Sequence, residues 1–183
     1  MKLNILPEQE YLKECFDYNE FTGELTWKVR PPYHFEKEKV MKTFISRCSN
    51  KVAGSKTHRG YICIDIDKVT YQAHRLVWKL HYGTEPKEII DHINGIRDDN
   101  RIENLREATA AENSRNRTKV TKHSKSGHIG VHYCKRDDRW IATIQVNKKK
   151  STVGRFRTME EAIEARKIRA EQEFGEFYND FND

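Results

Sequence analysis

The sequence predicts an α+β protein with two domains, and three observations support this prediction. Residues 1–117 alternate short strand patterns with amphipathic helical stretches, so helices and strands share one domain there. Residues 118–127 are polar and basic without an apolar pattern, which is typical of a linker. Residues 128–183 predict a small three-stranded antiparallel sheet followed by one helix.

The first fifty residues predict one helix and one hairpin. Residues 8–16 form a short helical pattern. Thr22 and Gly23 supply a turn, and residues 24–29 then alternate as a strand that ends before two prolines. Residues 33–50 are polar and irregular, so they predict no element.

A second hairpin and an amphipathic helix are predicted next. Residues 61–71 alternate as the two strands of the hairpin. Residues 72–82 form a helix that ends at Gly83, and its apolar face consists of Ala73, Leu76, Val77 and Leu80. His74 and Arg75 are expected either on the exposed side of this helix or as clamps of the fold.

The following stretch predicts the order strand, loop, strand and helix. Residues 88–93 form a short apolar strand, residues 94–103 a polar loop and residues 105–108 a second strand. Thr109 and Glu112 fit a capping box, because their side chains can accept the first amide hydrogens of a helix. This helix is expected to run to about residue 117.

The C-terminal part has a different order of predicted elements, with three strands followed by one helix. Three short strands are predicted, at residues 130–133, 139–147 and 150–154, and Thr158 with Glu161 forms a second capping box that begins a helix. One helix can cover only one face of a three-stranded sheet, so the other face is expected to stay open.

The charge is unevenly distributed along the chain. The net charge is +6, from 34 Lys and Arg against 28 Asp and Glu. Residues 119–157 hold eleven Lys and Arg but only two acids, whereas residues 158–183 hold eight acids and three bases. A basic segment that also looks folded is typical of a nucleic-acid binder.

Other features of the composition argue against several classes of protein. The four cysteines contain no C-x-x-C pair, so neither a structural zinc site nor a disulfide framework is expected. No apolar run approaches the roughly 18 to 20 residues that span a bilayer, and no signal peptide is recognisable. The sequence therefore predicts a cytoplasmic protein without a membrane partner.

One cluster of side chains indicates chemistry on a phosphodiester. A carboxylate, an imidazole and two carboxamides lie within fewer than 25 residues, at Asp91, His92, Asn104 and Asn113. A carboxylate with neutral oxygen donors suits Mg²⁺, and an imidazole can deprotonate the attacking water. Because adjacent side chains of a strand point to opposite faces, His92 can act as a base only if its face is open to the phosphate.

The residues around this cluster resemble the HNH endonucleases with a ββα-metal core, and most closely the phage and intron-encoded group without zinc. The resemblance covers residues 61–117, and the matching segments are residues 73–78, 90–95, 100–105 and 112–114. It implies that His92 is the general base and that Asp91 and Asn113 bind one Mg²⁺ or Mn²⁺. Asn104 would brace the loop that orients the imidazole. The third residue of the HNH motif is usually His, and in this chain it is Asn113.

A second set of motifs lies at residues 130–131, 139–142, 153–156, 158–162 and 174–177. Through these segments, residues 127–177 resemble the plant APETALA-two/ethylene-response-factor type of DNA-binding domain, which also accompanies phage HNH nucleases. In that family the open face of the sheet enters the major groove. The resemblance implies contacts to double-stranded DNA from His132, Arg136, Arg139, Thr143, Gln145, Lys148, Lys150 and Thr152. Fewer arginines and tryptophans lie on this face than in the plant domains, so phosphate contacts are expected to dominate.

The two resemblances together imply a monomeric, metal-dependent endonuclease that cuts double-stranded DNA, with a homing role in a phage and a place in the host cytoplasm. Two alternatives stay open. One is a non-catalytic DNA-binding regulator with a vestigial nuclease core, and the other is a nuclease for RNA or branched DNA. The catalytic reading requires that the imidazole reaches solvent and that Asp91 and Asn113 can share one cation.

Overall fold

The computed structural model describes residues 4–115 and 126–178, which form a mixture of helices and small antiparallel sheets. The predicted α+β class is therefore confirmed. The chain divides into two compact units, Met1–Ala108 and Thr109–Asp183, and each is described by itself below. The predicted linker at residues 118–127 and the predicted helix end at residue 117 lie largely outside the described residues.

The N-terminal helix and hairpin are confirmed, with bounds close to those expected. Helix α1 spans Gln9–Cys15, and strands β1 (Phe16–Tyr18) and β2 (Leu25–Trp27) pair antiparallel. Their turn contains Gly23, whose φ of +74° lies in the left-handed region that favours glycine. A 3-10 turn at Pro32–His34 follows the strand.

Residues 33–50 contain a helix that the sequence pattern did not predict. Helix α2 spans Glu38–Arg47 and has no buried residue. Only Phe44 and the following Cys48 pack against the core. Val40, Met41, Phe44 and Ile45 recur at helical spacing in this segment, so the prediction of irregular structure was wrong.

The second hairpin and its helix form the centre of the first unit. Strands β3 (Ser55–Lys56), β4 (Ile62–Ile66) and β5 (Val69–Gln72) make an antiparallel sheet, and α3 spans Ala73–Tyr82. The helix ends at Gly83, as predicted, with a φ of +74°. The largest fully buried side chains of the unit are Leu12, Cys15, Ile64, Ile66, Leu76 and Val77.

The prediction that His74 and Arg75 lie on the exposed side of helix α3 is wrong. The alternative prediction, that they clamp the fold, holds for Arg75. Both residues are buried. Arg75 donates from Nη2 to Glu85 Oε2 at 2.9 Å, and Oε1 of the same carboxylate accepts from the backbone amide of Leu6 at 2.6 Å. Arg75 therefore ties helix α3 to the N-terminal segment through a buried charge that is paired.

The predicted order strand, loop, strand is confirmed in the last part of the first unit. Strands β6 (Ile89–His92) and β7 (Leu105–Ala108) pair antiparallel, and a 3-10 turn at Ile102–Asn104 precedes β7. The helix that follows, α4 (Ala110–Arg115), belongs to the second unit. The ββα arrangement of β6, β7 and α4 therefore stays a prediction.

The second unit contains the predicted sheet and helix. Strands β8 (Val131–Cys134), β9 (Arg139–Val146) and β10 (Lys149–Phe156) follow the order β10-β9-β8, and α5 spans Met159–Phe174. Both capping boxes are present. Thr158 and Glu161 begin α5, and Thr109 and Glu112 exchange the equivalent bonds at α4.

The core of the second unit lies between α5 and one face of the sheet. Val131 and Ala142 pack against Ala162, and Ile144 packs against Ala170 and Phe174. The opposite face of the sheet carries no helix among the described residues. None of the described helices has both the length and the apolar character needed to cross a membrane.

Candidate functional site

Strand β6 carries the predicted carboxylate and the predicted imidazole on adjacent residues. Asp91 is 5% exposed and stands opposite Arg106 of β7. Nε and Nη2 of Arg106 donate to the same carboxylate oxygen, Oδ2, at 3.1 and 2.9 Å. Arg106 was not predicted as part of the site, although the antiparallel register of the two strands places it there.

His92 is oriented by a carboxamide that the sequence analysis did not assign to the site. Nε2 of His92 lies 3.2 Å from Oδ1 of Asn100, which is itself buried. Because a carboxamide oxygen only accepts hydrogen bonds, a bond at this contact requires the proton on Nε2, and Nδ1 is then the basic nitrogen of the neutral ring. Asn100 lies inside a segment of the HNH resemblance, and no spacing rule connected it to His92.

The ring of His92 is enclosed, which differs from the expectation that it reaches solvent. The residue is only 4% exposed. Its ring centroid lies 5.1 Å from that of His74, edge to face, and 6.0 Å from that of Tyr61. Burial lowers the pKa of His92, so the imidazole stays neutral at pH 7.

His74 is a second buried imidazole next to His92. It is 5% exposed, and its Nδ1 has no hydrogen-bond partner in the part of the chain that the structure describes. Burial, together with the neighbouring His92 and Arg75, lowers the pKa of His74 to about 3. His74 is therefore neutral at pH 7, and it contributes packing rather than charge to the surroundings of His92.

Asn104 closes the loop between β6 and β7. Its Oδ1 accepts from the backbone amide of Asn94 at 2.9 Å, and its Nδ2 donates to the carbonyl of Asp99 at 2.8 Å. Its own carbonyl accepts from the amide of Ile93 at 2.9 Å. These are the contacts that the predicted bracing role requires, while its part in catalysis stays a prediction.

The same loop is held by an ion pair at its base. Arg101 donates to both carboxylate oxygens of Asp99, at 2.8 and 2.7 Å. Asn94 adds a bond from Nδ2 to Asp99 Oδ2 at 2.7 Å. The bonds from Arg101, the largest influence, lower the pKa of Asp99 to about 2. Asp99 is therefore charged at pH 7 and anchors the loop.

The N-terminal hairpin packs against the loop segment that carries Asn100. Tyr18 Oη donates to the carbonyl of Asn100 at 3.0 Å and accepts from the amide of Ile102 at 2.8 Å. A Cβ built on Gly23 would lie 2.5 Å from the backbone nitrogen of Arg101. The N-terminal hairpin therefore helps to position the partner of His92, across more than 80 residues of chain.

Asp91 is the one carboxylate among the predicted ligands of a divalent cation. The described residues contain no group of three or more His, Cys, Asp and Glu that could hold a metal ion. Mg²⁺ commonly keeps several waters and takes only one or two carboxylates, so Asp91 with one carboxamide suits this ion. Asn113, the second predicted ligand, lies on α4 of the other unit, and its approach to Asp91 stays a prediction.

The open face of the second unit carries most of the predicted DNA-contacting residues. Residues that pair directly across strands share a face of the sheet. His132 pairs with Ile141, and Gln145 pairs with Lys150. This face is opposite to Ala142 and Ile144, which pack towards α5. His132, Gln145, Lys150 and Thr152 are all exposed there.

Arg139, Arg136 and Lys148 lie at the ends of the strands. Arg139 begins β9 and donates from Nη1 to the carbonyl of Asp138. Arg136 lies in the preceding turn and bonds Asp137 from Nε at 2.9 Å. Lys148 lies in the turn between β9 and β10, with a φ of +65°.

Two residues of this face differ from the expectation. Thr143 is only 8% exposed, and its hydroxyl donates to the carbonyl of Gly130 at 3.1 Å. Arg155 was not predicted, yet it pairs with Ile141 and so lies in line with His132. A register shift at Val153 brings it to this face, and a strictly alternating strand pattern does not reveal such a bulge.

One comparison with known proteins gives a match. No curated protein and no solved structure matches the chain. Residues 71–115 match the family model described as HNH endonuclease. This segment contains Asp91, His92, Asn104 and Asn113, and it spans about a quarter of the chain. The chain is thus similar to the HNH endonucleases over residues 71–115, which supports a nuclease.

Proposed function

We propose that the chain is a metal-dependent endonuclease that hydrolyses phosphodiester bonds in double-stranded DNA. The observation that carries this proposal is the orientation of His92 by Asn100, beside the buried carboxylate of Asp91 and within the segment that matches the HNH endonucleases. His92 and Asp91 together supply a base and a ligand for a hard cation at one place.

In this proposal Nδ1 of His92 takes a proton from the attacking water. The hydrogen bond to Asn100 keeps the other ring nitrogen protonated, and burial keeps the ring neutral at pH 7. Since His92 is almost buried in the free protein, the reaction includes a local rearrangement that opens the ring to the phosphate. Asn104 holds the loop that carries Asn100.

Asp91 and Asn113 would hold Mg²⁺ or Mn²⁺, which when bound would neutralise phosphate charge and stabilise the leaving 3′-oxygen. Two nitrogens of Arg106 converge on one oxygen of the Asp91 carboxylate and hold it in a fixed orientation for this purpose. The products carry a 5′-phosphate and a 3′-hydroxyl. No structural zinc belongs to this proposal.

The second unit is the proposed DNA-binding module. Its open face would contact phosphates and bases through the exposed residues of the three strands and their turns, and Arg155 joins the predicted set. We leave Thr143 out of this interface, because its hydroxyl is buried against Gly130. The resemblance to the APETALA-two type of domain supports this role, as it supports a monomeric homing enzyme of a phage that acts in the host cytoplasm.

A second candidate function is supported by the burial of His92. A DNA-binding regulator with a vestigial nuclease core would have no need for an accessible base, and His92 is 4% exposed. The two candidates share the second unit as a DNA-binding module and differ only in the chemistry of the first.

Nicking of supercoiled plasmid in the presence of Mg²⁺ distinguishes these candidates. We expect nicking by the wild type, none in EDTA, and a loss of at least about a hundredfold in rate for His92→Ala, since a general base contributes roughly 10²–10⁴-fold. His58→Ala, at an exposed histidine of the same unit, is the matched control and should keep full activity. No nicking by the wild type, or equal nicking by His92→Ala, would favour the regulator.

Duplex DNA, branched DNA and RNA are compared under the same conditions to identify the substrate.

A further inference from the structure

Arg97 presents a charged group close to His92. It lies exposed in the loop between β6 and β7. Its guanidinium carbon stands over the ring of Tyr61, 5.0 Å from the centroid, and its Nη1 donates to the carbonyl of Arg59 at 2.9 Å. An aromatic face and a carbonyl therefore hold the guanidinium in one orientation.

No carboxylate of the described chain neutralises this guanidinium. The two acids that follow Arg97 are both engaged elsewhere. Asp98 accepts from Lys56 Nζ at 2.6 Å, and Asp99 is bound by Arg101. An arginine has five N–H donors, and Arg59 is the one hydrogen-bond acceptor that Arg97 has among the described residues, so donors remain for a ligand. The parallel N–H donors of a planar guanidinium match the spacing of two phosphate oxygens.

Tyr61 connects this guanidinium to the candidate active site. The centroid of its ring lies 6.0 Å from that of His92. The guanidinium carbon of Arg97 and the imidazole of His92 are therefore at most about 11 Å apart. Successive phosphates of one DNA strand rise about 3.4 Å along the helix axis and also wind around it, so this distance covers at most about three nucleotides.

We propose that Arg97 binds a backbone phosphate of the cleaved strand, within about three nucleotides of the bond that is cut, and thereby positions the DNA against His92. The inference rests on the proposed function, because it takes His92 as the site of cleavage. Arg97 is a positioning residue here and takes no part in the bond-breaking step. Tyr61 acts through Arg97 by fixing the plane of the guanidinium.

The salt dependence of DNA binding tests the contact separately from cleavage. Binding of a fluorescent duplex is measured with the full chain carrying His92→Ala, over a range of NaCl concentrations. Each phosphate contact adds about 0.9 to the slope of log K against log salt. We expect Arg97→Gln to lower the slope by about this amount and Arg97→Lys to restore it, since a point charge suffices for the ionic contact.

The matched control is Arg47→Gln, which removes the same charge from an exposed position on α2 of the same unit. It should leave the slope unchanged. Thermal melting by circular dichroism checks that all variants are folded. A slope for Arg97→Gln equal to that of Arg47→Gln would overturn the inference.

Single-turnover cleavage then tests the positioning role. At saturating protein, we expect Arg97→Gln to cut roughly tenfold more slowly than the wild type, and Tyr61→Leu to cut more slowly than Tyr61→Phe. Unchanged rates for both would overturn this role.

If the wild type binds DNA without cutting it, the proposed nuclease function fails, whereas a reduced slope for Arg97→Gln still establishes the phosphate contact. If the wild type does not bind DNA at all, both proposals fail.

Discussion

Arg106 lies directly opposite Asp91 across the β6–β7 hairpin, and two of its nitrogens converge on the single carboxylate oxygen Oδ2, at 2.9 and 3.1 Å. Both side chains are largely buried, with 14% and 6% of their surfaces exposed. The pair therefore fixes a buried carboxylate inside the first unit, at the position proposed to bind a cation.

Replacement of Arg106 is expected to destabilise the chain. Arg106→Gln leaves Asp91 as a buried charge without this partner, which costs about 3 kcal/mol. The free energy of unfolding is measured in urea with EDTA present. The double variant Asp91→Asn with Arg106→Gln completes a mutant cycle and should be less destabilised than the sum of the single changes. Additive losses would mean that the two residues do not interact.

Burial of His74 should make the free energy of unfolding depend on pH. The pKa of His74 is about 3 in the folded chain, against 6.5 for an ordinary histidine. As the pH falls below 6.5, the unfolded chain takes up a proton that the folded chain does not, so stability decreases. Between pH 7 and pH 5 this loss is about 2 kcal/mol. The lowered pKa of His92 acts in the same direction.

His74→Phe keeps an aromatic ring at this position and removes the titrating group. We expect the variant to lose less stability than the wild type between pH 7 and pH 5, as measured by urea unfolding. His58→Phe, at an exposed histidine of the same unit, should behave as the wild type does. Equal pH dependence in all three proteins would contradict the buried, neutral state of His74.

Gly23 should be sensitive to the addition of a single methyl group. A Cβ at this position would lie 2.5 Å from the backbone nitrogen of Arg101 and 2.6 Å from the carbonyl carbon of Asn100. Because backbone atoms have little freedom to move away, Gly23→Ala should push the loop out of place and loosen the bond between Asn100 and His92. We expect a loss of about 2–3 kcal/mol in the free energy of unfolding, together with slower plasmid nicking.

Gly60→Ala is the matched control for this prediction. Gly60 also has a positive φ, of +91°, but the nearest atom to its added Cβ would be 3.8 Å away. This variant therefore carries only the backbone strain, of about 1 kcal/mol. Equal losses in the two variants would show that the contact between the hairpin and the loop is unimportant.

Two neighbouring lysines test which face of the second unit binds DNA. Lys150 pairs with Gln145 on the open face, whereas Lys149 pairs with Val146 on the face that packs towards α5. We expect Lys150→Gln to weaken the binding of a fluorescent duplex and to lower its salt slope by about 0.9. Lys149→Gln removes the same charge one residue away and should have a smaller effect. The reverse order would place the DNA on the other face.

Local patterns in the sequence were sufficient for most of the secondary structure. The two N-terminal hairpins, helix α3 with its glycine end and both capping boxes depend on residues close together in the chain, and all of them are confirmed. Helix α2 was not predicted, although Val40, Met41, Phe44 and Ile45 recur at helical spacing, because most of the surrounding segment is polar.

The chain's own sequence also determined which chemical groups are available: Asp91, His92, Asn104 and Asn113 in one short span, and a basic segment after them. Only the tertiary structure decided how they are arranged. Tyr18, more than 80 residues away, holds the loop that carries Asn100, and Asn100 orients a buried His92. Arg155 reaches the open face through a bulge. Such contacts depend on packing between distant segments, and a local pattern contains no information about the partner that a side chain meets when the chain folds.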